Sequence, residues 1–202
     1  DPRLIIKDDG KGMDRKDIDE KWLFVAYSAK KEGTEDYRDK IQTQRTYAGA
    51  KGIGRFSCDR LGSNLTLYTK KAGETKVNKL EIDWTLFEAN PRDEFVYIPV
   101  KYSTVNSVPF EGNFTKGTIL VIDSFREKWD RGKLLELRHS LEKLINPNQE
   151  NDPRGFLIYL TVKEELEKDK EEENNKNLRE IINGKIENHV FEDLGIKTTK
   201  ID

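Results

Sequence analysis

Apolar and polar positions fall into distinct blocks along the chain, and each block predicts an element. Leu4-Ile5-Ile6 is a short apolar run ending in Asp8-Asp9-Gly10, which predicts a buried strand entering a turn. Asp14 stands as a helix N-cap with Asp17 three positions on, a start signal. Ile18, Trp22, Val25 and Ala26 follow at helical spacing, so residues 15–27 are expected to form a helix with one apolar face. Residues 28–51 are polar, with scattered glycine and no sustained period. A patternless stretch of that length is functional or disordered more often than it is an ordinary connection. Phe56, Cys58 and Leu61 suggest a short helix that Gly62 stops.

Strand-like segments come next. Residues 64–70, 77–84 and 94–102 are expected strands; Leu65 and Leu67, then Leu80, Ile82 and Trp84, alternate with polar residues. That is the period of a sheet with one buried face. The run 117–125 is the most apolar and reads as a central strand. Asp130 caps a helix expected to reach about Ile145, with Leu134, Leu137, Leu141 and Leu144 on one face and Pro147 just beyond. Residues 156–162 read as another strand, and 178–202 are weakly patterned. This order predicts an α/β (α+β) two-layer sandwich: a mostly antiparallel mixed sheet covered by helices on one face.

Composition narrows the classes. Hydrophobic residues are 35% and charged residues 37% of 202, enough for a core but polar for the size. The formal net charge of -2 gives no global basic signature for nucleic acid. No apolar run approaches the roughly 18 residues that span a membrane. The start lacks a basic-then-apolar leader pattern, and the single cysteine, Cys58, excludes an internal disulfide; a reducing, cytoplasmic setting is expected. His139 and His189 lie far apart, against a histidine-rich metal site. Residues 163–173 carry three positive and seven negative charges, which reads as a solvated linker or frayed helix. Lys70-Lys71 reads as surface solvation.

Two glycine-rich turns carry candidate chemistry. The first is Asp8-Asp9-Gly10-Lys11-Gly12-Met13, where Asp8 ends a buried strand and could accept hydrogen bonds from an exocyclic amine. The second is Gly49-Ala50-Lys51-Gly52-Ile53-Gly54-Arg55, leading into an expected helix. Its glycines allow close backbone approach, and helix N-terminal amides attract anions. The spacing is neither that of a P-loop nor that of the dinucleotide fingerprint. Alone, the first turn is better explained by a solvated turn aspartate, and the second equally well by a tight loop-to-helix turn without a ligand.

In order, with Gly117-Thr118 opening the apolar strand, these motifs resemble the GHKL superfamily of ATPases. Its members include gyrase-type topoisomerase subunits, heat-shock chaperones, histidine kinases, MutL mismatch-repair proteins and MORC ATPases. The resemblance implies a Bergerat fold that binds ATP with Mg2+. It implies that Asp8 hydrogen-bonds the adenine amino group, that Gly10 and Gly12 shape the turn beside the base, and that Met13 packs near the ring. Residues 28–48 correspond to the ATP lid. Gly49, Ala50, Lys51, Gly52, Ile53, Gly54 and Arg55 correspond to the phosphate wrap, with Lys30 a weaker phosphate contact. Thr118 corresponds to the pocket floor. The second box looks more like the chaperone and mismatch-repair branch, and the sequence from Trp22 to Lys30 resembles that branch and the MORC proteins.

One departure follows. Family members that hydrolyse ATP carry a glutamate base and an asparagine magnesium ligand on a helix before the first box. Seven residues precede Asp8, and none is Glu or Asn. The expectation is therefore an N-terminally truncated ATP pocket whose base and metal ligand lie upstream, in a larger ATPase that couples ATP to conformational change. The expected domains are 1–162 for ATP binding, 163–177 as a charged linker or insertion, and 178–202 as the start of a following segment. A homodimer through the larger protein is a candidate partner, and nucleic acid rests on family analogy alone. The competing functions are a nucleotide-binding module without turnover and a histidine-kinase-type catalytic domain.

Overall fold

The computed structural model describes residues 2–23, 58–86, 100–145 and 157–189. The chain divides into two compact units, Asp1–Lys128 and Trp129–Asp202.

The first unit is built on a five-stranded sheet. Its strands are β1 (Arg3–Asp8), β2 (Gly62–Lys70), β3 (Val77–Asp83), β4 (Lys101–Val105) and β5 (Gly117–Phe125). They lie in the order β1-β5-β2-β3-β4, and every neighbouring pair is antiparallel. The expected α/β arrangement with a mostly antiparallel sheet is the one observed. The predicted strand at 117–125 is β5, and 64–70 and 77–84 agree with β2 and β3 to within two residues. The strand expected at 94–102 instead begins at Lys101; residues 94–99 lie outside the described ones.

Directly paired residues share a face, so the register divides the sheet into rows. Leu4, Ile122, Leu65 and Ile82 form one row, and Ile6, Leu120, Leu67, Leu80 and Tyr102 the next. On this face all of these but Ile6 pack with Ile18, Trp22, Cys58 and Trp84 into the larger core. Ile5 and Ile6 are exposed, so the buried strand expected at Leu4-Ile5-Ile6 is corrected to an edge strand that buries only Leu4 in part. The opposite face carries Tyr68, Val77, Ile119 and Val121, covered by Val108 and Phe114.

Helix α1 (Arg15–Asp17) starts where its cap predicts. Asp14 accepts the Asp17 amide at 2.8 Å, and Asp17 accepts the Asp14 amide at 3.3 Å, a reciprocal capping box. From Ile18 to Trp22 the helix widens: the Leu23 amide donates to the Ile18 carbonyl, five residues back, at 2.8 Å. Such wide turns are rare. Both Ile18 and Trp22 stay buried through it. The single regular helix expected over 15–27 is thus corrected up to Leu23; the rest lies outside the described residues. Residues 58–60 make one 3-10 turn where a short helix was expected.

The second unit contains α2 (Arg131–Glu142), a two-stranded pair of β6 (Tyr159–Leu160) with β7 (Gly184–Lys185), and α3 (Leu166–Asn174). Asp130 caps α2 by accepting the Lys133 amide at 3.0 Å. The helix ends three residues before Ile145, so Leu144 lies past it and is exposed while Ile145 is buried. Among the described residues the strand expected over 156–162 is two residues long and pairs with the equally short β7; Phe156 lies outside them. The acidic stretch is not simply solvated: it forms α3, and Asp169 within it is 6% exposed.

Candidate functional site

The sheet's helix-covered face changes character at one end. Beyond the two apolar rows, the register brings Asp8, Thr118, Thr69, Asn78 and Thr104 side by side across all five strands. A row of polar side chains at the edge of a buried face is costly unless each is hydrogen-bonded. Here Asp8, Thr69 and Asn78 are hydrogen-bonded to the first glycine turn.

Asp8 is the last residue of β1 and pairs with Thr118, the second residue of β5. Its Oδ1 accepts the Gly10 amide at 2.8 Å, the turn a short acidic side chain favours. Asp8 is accessible at the surface, yet crowding by the chain around it raises its carboxyl above the ordinary value. The Gly10 amide counters that, neighbouring Asp9 adds to it, and Thr118 counters it through its backbone and hydroxyl. The result is an accessible carboxylate at the end of β1, raised first by desolvation and held at one oxygen by the Gly10 amide.

Three glycines allow close approaches at this end of the sheet. Gly12 has φ +70°, and a Cβ there would lie 1.9 Å from the Lys70 carbonyl oxygen. Gly117 has φ +111°, and a Cβ there would lie 2.2 Å from the Asp8 carbonyl oxygen. Both positions are closed to other residues by conformation and by contact with main chain. A Cβ on Gly10 would meet Asp8 Oδ1 at 2.6 Å. The turn from Gly10 to Met13 is thereby pressed against the ends of β2 and β5.

Met13 is half-buried against the main core. Its amide donates to Thr69 Oγ1 at 2.8 Å, and its carbonyl accepts from Asn78 Nδ2 at 3.1 Å. Thr69 is fully buried; its hydroxyl donates to the Gly117 carbonyl at 3.0 Å and lies 3.2 Å from Thr118 Oγ1. Tyr102 Oη donates to Asn78 Oδ1 at 2.7 Å, which fixes the amide's orientation.

A charged cluster secures the exit of the turn. Lys71, just after β2, reaches Asp14 at 2.7 Å and Asp17 at 2.5 Å, and Lys21 reaches Asp17 at 2.9 Å. Burial alone would raise the Asp17 carboxyl, but these two ammonium groups and the Asp14 amide hold it far below the usual range. Lys71 loses by desolvation but is raised overall by its two carboxylates. Its expected role of surface solvation is corrected: it bridges the first turn of α1 to the sheet.

The structure therefore brings together Asp8, Gly10, Gly12, Met13 and Thr118. Lys30, Gly49, Ala50, Lys51, Gly52, Ile53, Gly54 and Arg55, with the expected lid 28–48, lie outside the described residues. Sequence reasoning missed Thr69 and Asn78 as members and named Gly117 only as the opening of the apolar strand. The signal was present for Thr69: it continues the Leu65, Leu67 alternation and so falls on the buried face. Among the described residues no group of three or more His, Cys, Asp or Glu is placed to hold a metal ion, and no helix is long and apolar enough to cross a membrane.

Comparison with curated proteins returned no match. The family described as histidine kinase-, DNA gyrase B- and HSP90-like ATPases matches residues 1–111. That span holds β1, the first glycine turn, Thr69, Asn78 and Tyr102; β5, with Thr118, follows it and pairs directly with β1. With more than half of the chain matched, and with the acidic strand end, glycine turn and antiparallel sheet in place, this chain belongs to the histidine kinase-, gyrase B- and HSP90-like ATPase family.

Proposed function

We propose that Asp8 reads the base of ATP in this ATP-binding module, its carboxylate accepting a hydrogen bond from the adenine 6-amino group. Gly10 and Gly12 keep the turn beside the base free of side chains, and Met13 packs against the ring. Thr118 forms the floor and orients Asp8. The observation that carries this reading is the pairing of Asp8 with Thr118 at a sheet end where glycines 10, 12 and 117 press the backbone close. A planar base with one exocyclic donor suits an exposed carboxylate acceptor at the strand end.

The second glycine box, Gly49 to Gly54, with Lys51, Arg55 and Lys30, would wrap the phosphates through backbone amides and positive charge. Residues 28–48 would act as the lid, and magnesium would accompany the triphosphate. In a larger protein, ATP binding and hydrolysis would drive a conformational change, with a homodimer as the candidate assembly.

Titration calorimetry with ATP and with GTP in magnesium buffer tests the assignment. GTP presents a 6-oxo acceptor to the Asp8 carboxylate, so it should bind at least about tenfold more weakly than ATP. Equal affinity for both, or no ATP binding, would refute it.

A further inference from the structure

We propose that Thr69 and Asn78 are positioning residues for base recognition, acting through a two-point grip on the backbone of Met13. This rests on the assignment of the Asp8 end of the sheet as the base site.

The peptide groups on both sides of Met13 are held by side chains from two different strands. Thr69 on β2 takes the Met13 amide at 2.8 Å, and Asn78 on β3 gives its Nδ2 proton to the Met13 carbonyl at 3.1 Å. Neither gripping residue touches the turn by chance of exposure. Thr69 is fully buried and Asn78 is 7% exposed, and they are paired in the sheet register. Tyr102, partly buried beside the main core, spends its hydroxyl proton on Asn78 Oδ1 at 2.7 Å. The amide is thereby left one way round, with its nitrogen aimed at the turn.

Thr69 also connects the turn to the base reader. Its single proton has two acceptors in reach: the Gly117 carbonyl at 3.0 Å and Thr118 Oγ1 at 3.2 Å. Thr118 in turn is the direct partner of Asp8 in the register of β1 and β5. The hydroxyl of Thr69 therefore joins Met13 in the glycine turn to Gly117 and Thr118, the two β5 residues beside Asp8. A valine would fill the same volume and suit a buried strand position as well. It would leave the Met13 amide and the Gly117 carbonyl without this partner. The hydroxyl's distinguishing effect is on where the glycine turn sits relative to Asp8. Displacement of a reading group by a fraction of an ångström weakens recognition steeply.

The experiment uses the full chain and two readouts. Amide hydrogen exchange on the unliganded protein should show Met13 protected to the level of the sheet amides, although it lies in a turn. Titration calorimetry should show the ATP-to-GTP affinity ratio of Thr69→Val falling at least about fivefold, with Thr69→Ser close to the parent. A lower unfolding temperature of Thr69→Val with the ratio intact would make the residue structural only and overturn the proposal. So would loss of the ratio in Thr69→Ser, or a Met13 amide that exchanges as an open loop does. The exchange readout on the parent chain holds even if Thr69→Val does not fold. A parent chain that binds no ATP overturns the base-site assignment and this proposal together. A parent that discriminates ATP from GTP while Thr69→Val discriminates equally overturns this proposal alone.

Discussion

The two units of the chain are held together in different ways. In Asp1–Lys128, apolar rows dominate: Ile18, Leu65, Leu67, Leu80, Ile119 and Ile122 are all at most 1% exposed. In Trp129–Asp202, the described buried apolar residues are only Ile145, Ile182 and Ile186. A buried carboxylate organises that unit. Asp169 accepts the Ile182 amide at 3.1 Å, the Asn183 amide at 2.8 Å, Asn183 Nδ2 at 2.7 Å and Arg131 Nη2 at 3.1 Å. Arg131 also holds Glu165 at 2.6 Å and the Glu180 carbonyl at 2.5 Å, and Arg138 donates to the Ile182 and Lys185 carbonyls. The contrast is instructive because apolar packing is tolerant of small changes, whereas a buried ionic network is either fully satisfied or strongly destabilising. Within the first unit, the polar row at the Asp8 end repeats the second unit's strategy on a small scale, at the place where chemistry is expected.

The comparison breaks most readily at Asp169. Asp169→Ala leaves the Ile182 and Asn183 amides without their acceptor and Arg131 with Glu165 as its remaining carboxylate, and should cost the second unit about 3 kcal/mol. Hydrogen exchange at Ile182 and Asn183 would report the loss, with β2 amides keeping their protection. Leu67→Ala, fully buried in the first unit, should cost about 3 kcal/mol there by cavity formation. The same exchange experiment should show the reverse pattern. If both variants melt both units alike, the two are one cooperative body and the contrast fails. Gly12→Ala combines a positive φ with a main-chain clash; about 2 kcal/mol in urea-induced unfolding is expected.

Acid should act on both units with the same sign. Asp17 and Asp169 are each pulled below the ordinary carboxyl value in the folded chain, against burial, by their donors. Their stabilisation is complete above the unfolded value of about 3.9 and is lost as pH falls through the folded values. Asp8 runs the other way: its folded value is raised, so its ionisation costs stability as pH rises from about 3.9 through that value. Asp8→Asn should therefore change stability by no more than about 0.5 kcal/mol, in the stabilising direction if any, since an amide oxygen can still accept the Gly10 amide. Urea unfolding at a series of pH values checks both signs.

Much of this was legible in the sequence because it is local. The caps at Asp14 and Asp130 and the strands with strict alternation depend on neighbours within a few positions. Asp8 with its glycine turn is likewise a contiguous motif. What was not legible depends on register. Asn78 meets Met13 across 65 positions and Arg131 meets Asp169 across 38, distances over which composition carries no signal. The run 163–173 looked solvated because charge counting averages over the faces of a helix and does not see which residue faces Arg131. The wide turn at Ile18–Trp22 was hidden for another reason: Ile18 and Trp22 fit a regular helix equally well by spacing.

The central claim, that Asp8 accepts the adenine amino group, is tested most directly by a double-mutant cycle in calorimetry. The parent chain and Asp8→Asn would each be titrated with ATP and with purine riboside triphosphate, which lacks the 6-amino group. A direct hydrogen bond predicts that removing the amine and removing the charge are not additive, with a coupling of about 1–2 kcal/mol. Additive losses, with a coupling near zero, would contradict the assignment of Asp8 as the base reader.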